Sequence, residues 1–314
     1  MLVSGNWAPL LTPGLREIYS MVAGRPDPMR DLLYRVLPSP KSTEEYLGFG
    51  GRRLVPPWTG TVPYEDMDAY YRTTMRNILL VDGLQIERSL LEDDQYGQIR
   101  QATEEFSENF GVTREHDAVQ TFINAFTDTG VNRVGLNIAG ADAVGLCSTA
   151  HPYSPVAAGT TQSNEGTLAL SVANADTTRQ NMLNLTDDKG VLMAVNPDMV
   201  LVPAELERDA RQIFPQTDDV LFEPGSAQFD ASLFQSKLGG HKMTVVMWNR
   251  LTDANAWFMI DSRLMKQHLI WQDRVLPSFE ELPMTNPEIA QWSGRMRYSL
   301  GWKHWAWVYG NNPS

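Results

Sequence analysis

The chain of 314 residues carries 26 basic and 38 acidic side chains, and its net charge of -12 excludes a protein whose main task is gripping nucleic acid through a clustered basic face. A single cysteine, Cys147, excludes an intrachain disulfide and a cysteine-rich metal site. No run of about 18 apolar residues occurs, and no charged segment followed by an apolar one opens the chain, so neither a membrane span nor a signal peptide is expected and the product reads as cytoplasmic. The length allows one large domain or two modest ones, each with a real core.

Residues 1–40 contain Pro9, Pro13, Pro26, Pro28, Pro38 and Pro40, which break any long element, and only a short amphipathic helix from Leu15 to Val22 is expected there. From Thr43 to Leu80 the flanks are rich in Tyr, Thr and Leu, and Pro56, Pro57, Gly60 and Pro63 mark turns around Trp58. That pattern reads as a long, partly exposed hairpin. An exposed Trp58 with Arg52 and Arg53 nearby suits an interface anchor, since Trp and Arg dominate binding hot spots; Trp58 packed on its own domain is the plainer alternative. Next, Ile99, Ala102, Phe106 and Phe110 recur at helical intervals, and Ala118, Phe122 and Phe126 continue the stripe. Gly111 lies between the two runs, where it can bend or divide the helix.

Residues 144–167 form a Gly/Ser/Thr/Asn-rich loop. Thr177 and Gln180 have the spacing of a capping box within a helix signal from Asp176 to Leu185. Met199–Val202, bounded by Pro197 and Pro203, reads as a short buried strand, and Pro203 opens a second helix with Leu206, Ala210 and Ile213 on its buried stripe. Residues 215–240 are loop-rich. Met243–Trp248 and Ala256–Ile260 read as a strand pair joined by a polar turn, His268–Trp271 as a further strand, and the chain is expected to return to its first domain near Leu276 to Pro283. Met296, Tyr298, Leu300 and Trp302 then alternate with polar or small residues, whereas Trp305, Trp307 and Tyr309 fall on the opposite phase. A slip of one residue flips every side chain, so the switch at Lys303–His304 implies a bulge or a tight turn.

Little of this carries chemistry. Cys147 and His151 form a nucleophilic pair if thiol and imidazole meet, but Gly145 and Pro152 argue against the helix that would align them. The favoured reading is a buried thiol filler and a His-Pro turn whose ring bonds to backbone. His116, His151, His241, His268 and His304 are scattered, with no metal-binding spacing among them. Glu92, Asp93 and Asp94 read as a solvated run ahead of a helix, and Asp187-Asp188-Lys189-Gly190 as a turn without calcium-loop spacing. No nucleotide-binding motif and no GxSxG are present, so no cofactor is expected.

The stretch GLCSTAHPYSPVAAGTTQSN (145–164), then a helix, a buried strand and a proline-led helix, resembles the major capsid proteins of tailed bacteriophages, in the branch like the Mu head subunit. Tyr46-Leu47-Gly48, Trp58, the acidic run from Leu91 to Gln95, the Arg/Tyr-rich strand near the end and Tyr309-Gly310 fit the same family. The resemblance implies an α+β fold of the Hong Kong 97 type. Its parts would be an N-terminal arm (1–42), an extended loop hairpin (43–84), a peripheral domain with a long spine helix (85–165 and 276–314) and an axial domain (166–275). It implies a shell protein without an active site. Copies would form pentamers and hexamers of an icosahedral phage head, assembled in the bacterial cytoplasm around double-stranded DNA that is not read by sequence. Tyr46, Arg52, Arg53 and Trp58 would make inter-subunit contacts; a separate scaffolding protein, a portal and a decoration protein would be the partners. Some shells of this fold cross-link through a lysine of the extended loop. No lysine lies between Thr43 and Leu80, so cohesion by non-covalent overlap is expected. Two rival readings are an encapsulin-type nanocompartment of the same fold and a hydrolase using Cys147 and His151.

Overall fold

A computed structural model describes residues 7–51, 54–62, 64, 69–93, 96–155, 161–214, 243–283, 286 and 288–313. Two sheets organise it. The first has the order β1-β11-β12-β4, from β1 (Arg35–Pro38), β11 (Leu269–Glu281), β12 (Ile289–Trp302) and β4 (Ile78–Glu87). The period-two pattern of β12 sorts its two faces: Trp292, Met296, Tyr298 and Trp302 are buried, whereas Arg295 on the opposite face is exposed. The buried face lies under α4 (Tyr96–Ile123), the expected spine helix. Gly294 is what lets them approach, because a β-carbon there would stand 2.5 Å from Phe110 and 3.0 Å from Phe106.

Ile99, Phe106, Phe110, Ala118 and Phe122 all turn inward, and α4 runs on through Gly111 as one helix. Ala102 is half-buried, and Phe126 lies beyond the helix end, stacked on Phe258 at 5.5 Å. Polar residues on the buried side each have a partner: Thr103 donates to the Ile99 carbonyl (2.9 Å), Ser107 to the Tyr19 carbonyl (2.8 Å), and Arg114 pairs with Asp27 (2.8 Å).

The N-terminal segment corrects the expectation of an irregular stretch. α1 spans Ala8–Ala23 with Pro13 inside it, and α2 spans Pro28–Leu33. Pro13 removes one helix hydrogen bond. Ala8, Leu15, Tyr19 and Val22, buried along one side, offset that loss by packing on α4 and β11. Tyr19 alone meets Phe106, Phe110 and Phe279. Residues 7–38 therefore fold on the chain's own first sheet and spine helix.

The second sheet has the order β7-β13-β10-β8-β9, from β7 (Glu165–Gly166), β13 (Val308–Asn311), β10 (Trp257–Ile260), β8 (Met199–Val202) and β9 (Thr244–Met247). β9 and β10 were expected to pair with each other. Instead β8 separates them, parallel to β9 and antiparallel to β10. All four β8 residues are buried, and a wholly apolar strand is best satisfied between two neighbours. A 3-10 turn (Ala204–Leu206) and α6 (Glu207–Ile213) follow β8, close to the expected helix.

Three further boundaries differ from expectation. α5 spans Val172–Leu183 and is capped by Ser171, whose hydroxyl accepts from the Asn174 amide at 3.2 Å. Thr177 is thus inside the helix, bonded back to the Ala173 carbonyl, and is not a cap. α7 (Ser262–His268), capped by Asp261, precedes β11, so the return to the first sheet begins at Leu269 and not near Leu276. The phase switch at Lys303–His304 is neither a bulge nor a hairpin turn within one sheet. There the chain leaves β12 for the second sheet, where β13 pairs with β10, and residues 308–311 sit away from the first-sheet domain to which they had been assigned. The stretch 215–240 lies outside the described residues.

Candidate functional site

The expected hairpin is present. β2 (Thr43–Phe49) pairs antiparallel with β3 (Ala69–Arg76), in register from Thr43 opposite Arg76 to Leu47 opposite Arg72, with a one-residue shift before Phe49 opposite Ala69. Beyond the strands the chain offers apolar side chains to solvent: Val55, Trp58 and Tyr64 are 94%, 73% and 91% exposed, and Phe49, Leu54 and Val62 accompany them. Apolar residues gathered on one projection mark an association surface, whereas singly scattered ones do not. Of the four residues singled out from sequence, Trp58 stands on this tip. Arg52 and Arg53 lie outside the described residues. Tyr46 sits midway along β2, half-buried, where its hydroxyl accepts from Gln272 Nε2 (2.6 Å) and its ring lies 5.5 Å from the Lys303 ammonium.

The strand pair is attached to the body through residues that no motif signalled. Tyr70 of β3 stacks on His304 at 5.7 Å between ring centres, His304 stacks with Trp305 at 5.4 Å, and Trp305 stacks with His151 at 4.3 Å. The stretch that crosses between the two sheets thus also carries the hairpin. Its signals in the sequence were the aromatic density near the C-terminus and the phase switch at Lys303–His304.

Burial penalises the charged imidazolium and pushes His304 down to about 3, with His268 and His151 adding like-charge repulsion. His268, half-buried and next to Lys303, falls to about 4. Both rings are neutral in the fold, while in the unfolded chain they protonate near about 6.5. The unfolded state therefore binds more protons below that value. Stability is intact above it and is lost as pH falls toward the folded values, by up to about 1 kcal/mol per pH unit for each ring. Melting temperature should therefore fall between about pH 6.5 and 4, and His304→Gln should flatten that limb. An equal slope in both proteins would remove His304 from the cause.

The hydrolase reading does not survive the geometry. Cys147 is buried, and desolvation followed by the charge of Glu165 raises its thiol pKa well above the ordinary value, opposite to what a nucleophile needs. Its sulfur lies against Gly310, where a β-carbon would come within 2.6 Å. His151 is fully buried, and its Nδ1 meets the Asp142 carboxylate at 2.7 Å, not the backbone group expected. His151 and Pro152 form a short strand, β5, paired with β6 (Thr161–Gln162), in place of the expected turn. Among the described residues no three His, Cys, Asp or Glu side chains gather as metal ligands. No described helix is long and apolar enough to cross a membrane.

No curated protein matches the chain. Several solved structures do. The procapsid of bacteriophage JBD30 matches 98% of this chain and 75% of its own at 15% identity, with a TM-score of 0.52. The capsid of an empty GTA particle matches 92% of this chain and 91% of its own at 11% identity, with a TM-score of 0.55. The virus-like particle from Pyrococcus furiosus matches 96% and 98% at 10% identity, with a TM-score of 0.51. These likenesses establish the α+β fold as the Hong Kong 97 type. A family model described as phage capsid protein matches residues 82–311, a span running from β4 through the spine helix and both sheets to β13. On that match, the chain belongs to the phage capsid protein family.

Proposed function

We propose that copies of this chain form pentamers and hexamers that close into the icosahedral head of a tailed phage around its double-stranded DNA. The observation that carries the reading is the capsid family match over 82–311, joined at its N-terminal end to a projecting apolar hairpin with no cover for Trp58 among the described residues. On a lone chain such a surface is an aggregation liability; in a shell it becomes contact area. The net charge of -12 agrees with enclosing DNA without gripping it. In this reading the hairpin is β2 and β3 with the residues between them, the peripheral domain gathers the spine helix and the first sheet, the axial domain gathers the second sheet with β13, and Arg52, Arg53 and Trp58 meet the neighbouring subunit. Residues 1–42 act as an arm only if the packed α1 and α2 release from the spine helix. Assembly takes place in the host cytoplasm, with scaffold, portal and decoration proteins supplied as separate chains. A nanocompartment shell shares the fold, so fold alone does not weigh against it; the phage capsid family match does.

Electron microscopy of the protein expressed alone, and then with its neighbouring genes, tests this. Closed icosahedral particles holding DNA are expected. Monomers alone in both preparations would overturn the reading, and enzyme-filled particles would favour the nanocompartment.

A further inference from the structure

We infer that Asp188 is a positioning residue for assembly: by holding Gly51 it sets the direction in which the segment carrying Trp58 leaves the strand pair, and so the curvature between neighbouring subunits. The inference rests on the shell reading above.

The paired strands are attached midway through Tyr46 to Gln272 and at their loop end through Tyr70 to His304. Both attachments act on the strands themselves, before the segment that carries Trp58. A third attachment, two residues past β2 and to a different part of the chain, fixes where that segment sets out. The Gly51 N–H donates to Asp188 Oδ1 at 2.5 Å. A charged acceptor makes this a stronger bond than a neutral one. The approach is so close that a β-carbon on Gly51 would stand 2.3 Å from Asp187 Oδ2 and 2.7 Å from Asp188 Oδ1. A side chain at 51 would have to push these carboxylates aside.

The acceptor is itself held firmly. Asp187 Oδ1 accepts from the Lys189 and Val191 amides, both at 2.9 Å, and the Asp187 amide donates to the Val191 carbonyl at 2.8 Å. Gly190 closes the turn at φ +76°, a conformation that glycine adopts freely. Behind the turn, Thr186 is gripped twice by Gln162, through its carbonyl (2.5 Å) and its amide (2.9 Å), and a third time by the Tyr153 hydroxyl (3.2 Å). One carboxylate thus builds the turn and the next is left to aim at the hairpin. A turn this constrained, spent on a single backbone N–H of a projecting loop, has no evident purpose for the core: Asp188 is half-buried and Lys189 and Gly190 are exposed.

Closure of a shell depends on the rotation between neighbours. Head-to-tail contacts close when that rotation is right and run on as open assemblies when it varies. A segment free to swing beyond the strands presents Trp58 over a range of angles; an anchored segment presents it at one.

The test uses the full chain as wild type, Asp188→Ala, Asp188→Asn and Gly51→Ala. In the unassembled protein, amide exchange at Gly51 should quicken by about tenfold or more in Asp188→Ala, with the melting temperature within about 2 °C of wild type. Its assemblies should be open or of mixed diameter under the electron microscope. Asp188→Asn keeps an acceptor oxygen and should restore a single diameter, whereas Gly51→Ala should reproduce the defect by steric exclusion. Uniform shells of wild-type diameter from both Asp188→Ala and Gly51→Ala would overturn the inference. If wild type itself formed no shell, the shell reading would fail separately. Exchange at Gly51 would then still decide whether Asp188 anchors the hairpin, and unchanged exchange would overturn that as well.

Discussion

Replacing Trp58 with alanine is expected to raise the concentration needed for shell assembly by about 30-fold, equivalent to about 2 kcal/mol per contact, the threshold of an interface hot spot. The indole is 73% exposed in the single chain and offers a large, rigid apolar surface there. Burying it against a neighbour gains area that the isolated chain cannot recover. The same exposure means that the fold loses almost nothing when it is removed, because exposed positions away from special features change stability by no more than about 0.5 kcal/mol. Light scattering against protein concentration measures the first effect and thermal melting the second. Because each subunit in a shell makes such a contact repeatedly, a modest weakening per contact should appear as a steep loss of particles. Normal shell yield at the wild-type threshold would show that the tip is not an anchor.

Replacing Asp117 with alanine should do the opposite and strike the fold of the single chain. Asp117 is fully buried on the spine helix. Its two oxygens accept from Arg133 Nε and Nη2 at 2.9 and 2.8 Å, and Oδ2 also accepts from the Tyr298 hydroxyl at 2.5 Å. The carboxylate therefore ties α4 to the loop after it and to β12 of the first sheet. Beside it, the Tyr298 hydroxyl is held far above its ordinary pKa, first by burial and then by the Asp117 charge, and so stays a donor. Removing the acid leaves that hydroxyl buried without its acceptor and leaves the guanidinium unpaired. Loss of one partner of a buried pair costs about 3–5 kcal/mol. Arg133 is 45% exposed, so solvent recovers part of its charge and the lower end applies, about 3 kcal/mol. For a domain of this size that lowers the melting temperature by about 6–12 °C. A shift of only a degree or two would mean that the network contributes little.

The two effects read different parts of the sequence. Trp58 was legible because a tryptophan among prolines, glycine and polar residues has no helical or strand pattern to bury it. Asp117 was not legible. It lies on the helix stripe that Phe110, Ala118 and Phe122 announce, among acidic and polar neighbours that look like a solvated face. Its partners come from 16 and 181 positions away, and local periodicity carries no information about contacts of that range. The same holds for α2, where Glu115 of the spine helix accepts from the Met29 and Arg30 amides at 3.0 Å. The acid at that helix N-terminus is supplied by another helix.

The hairpin, the apolar stripe of the spine helix, the buried strand Met199–Val202 and the aromatic final strands were determined by the sequence itself, because each is written in a local period or a turn signal; that the helix runs unbroken through Gly111 was decided by the structure. Tertiary structure alone decided that Ala8–Ala23 is helical despite Pro13, since only burial of Leu15 and Tyr19 against α4 and β11 offsets the missing bond. It also decided that β8 separates β9 from β10, because strand order follows from which strand must be covered on both edges, not from which follows next in the chain. The phase switch at Lys303–His304 was visible, but its meaning as a crossing between sheets was not. A flip of side-chain phase is the same in sequence whether the strand bulges, turns or leaves for another sheet. The attachments of the hairpin to Gln272, His304 and Asp188 belong to this second kind. Each joins residues distant in sequence whose meeting is set by the packing of whole elements, and no spacing records it.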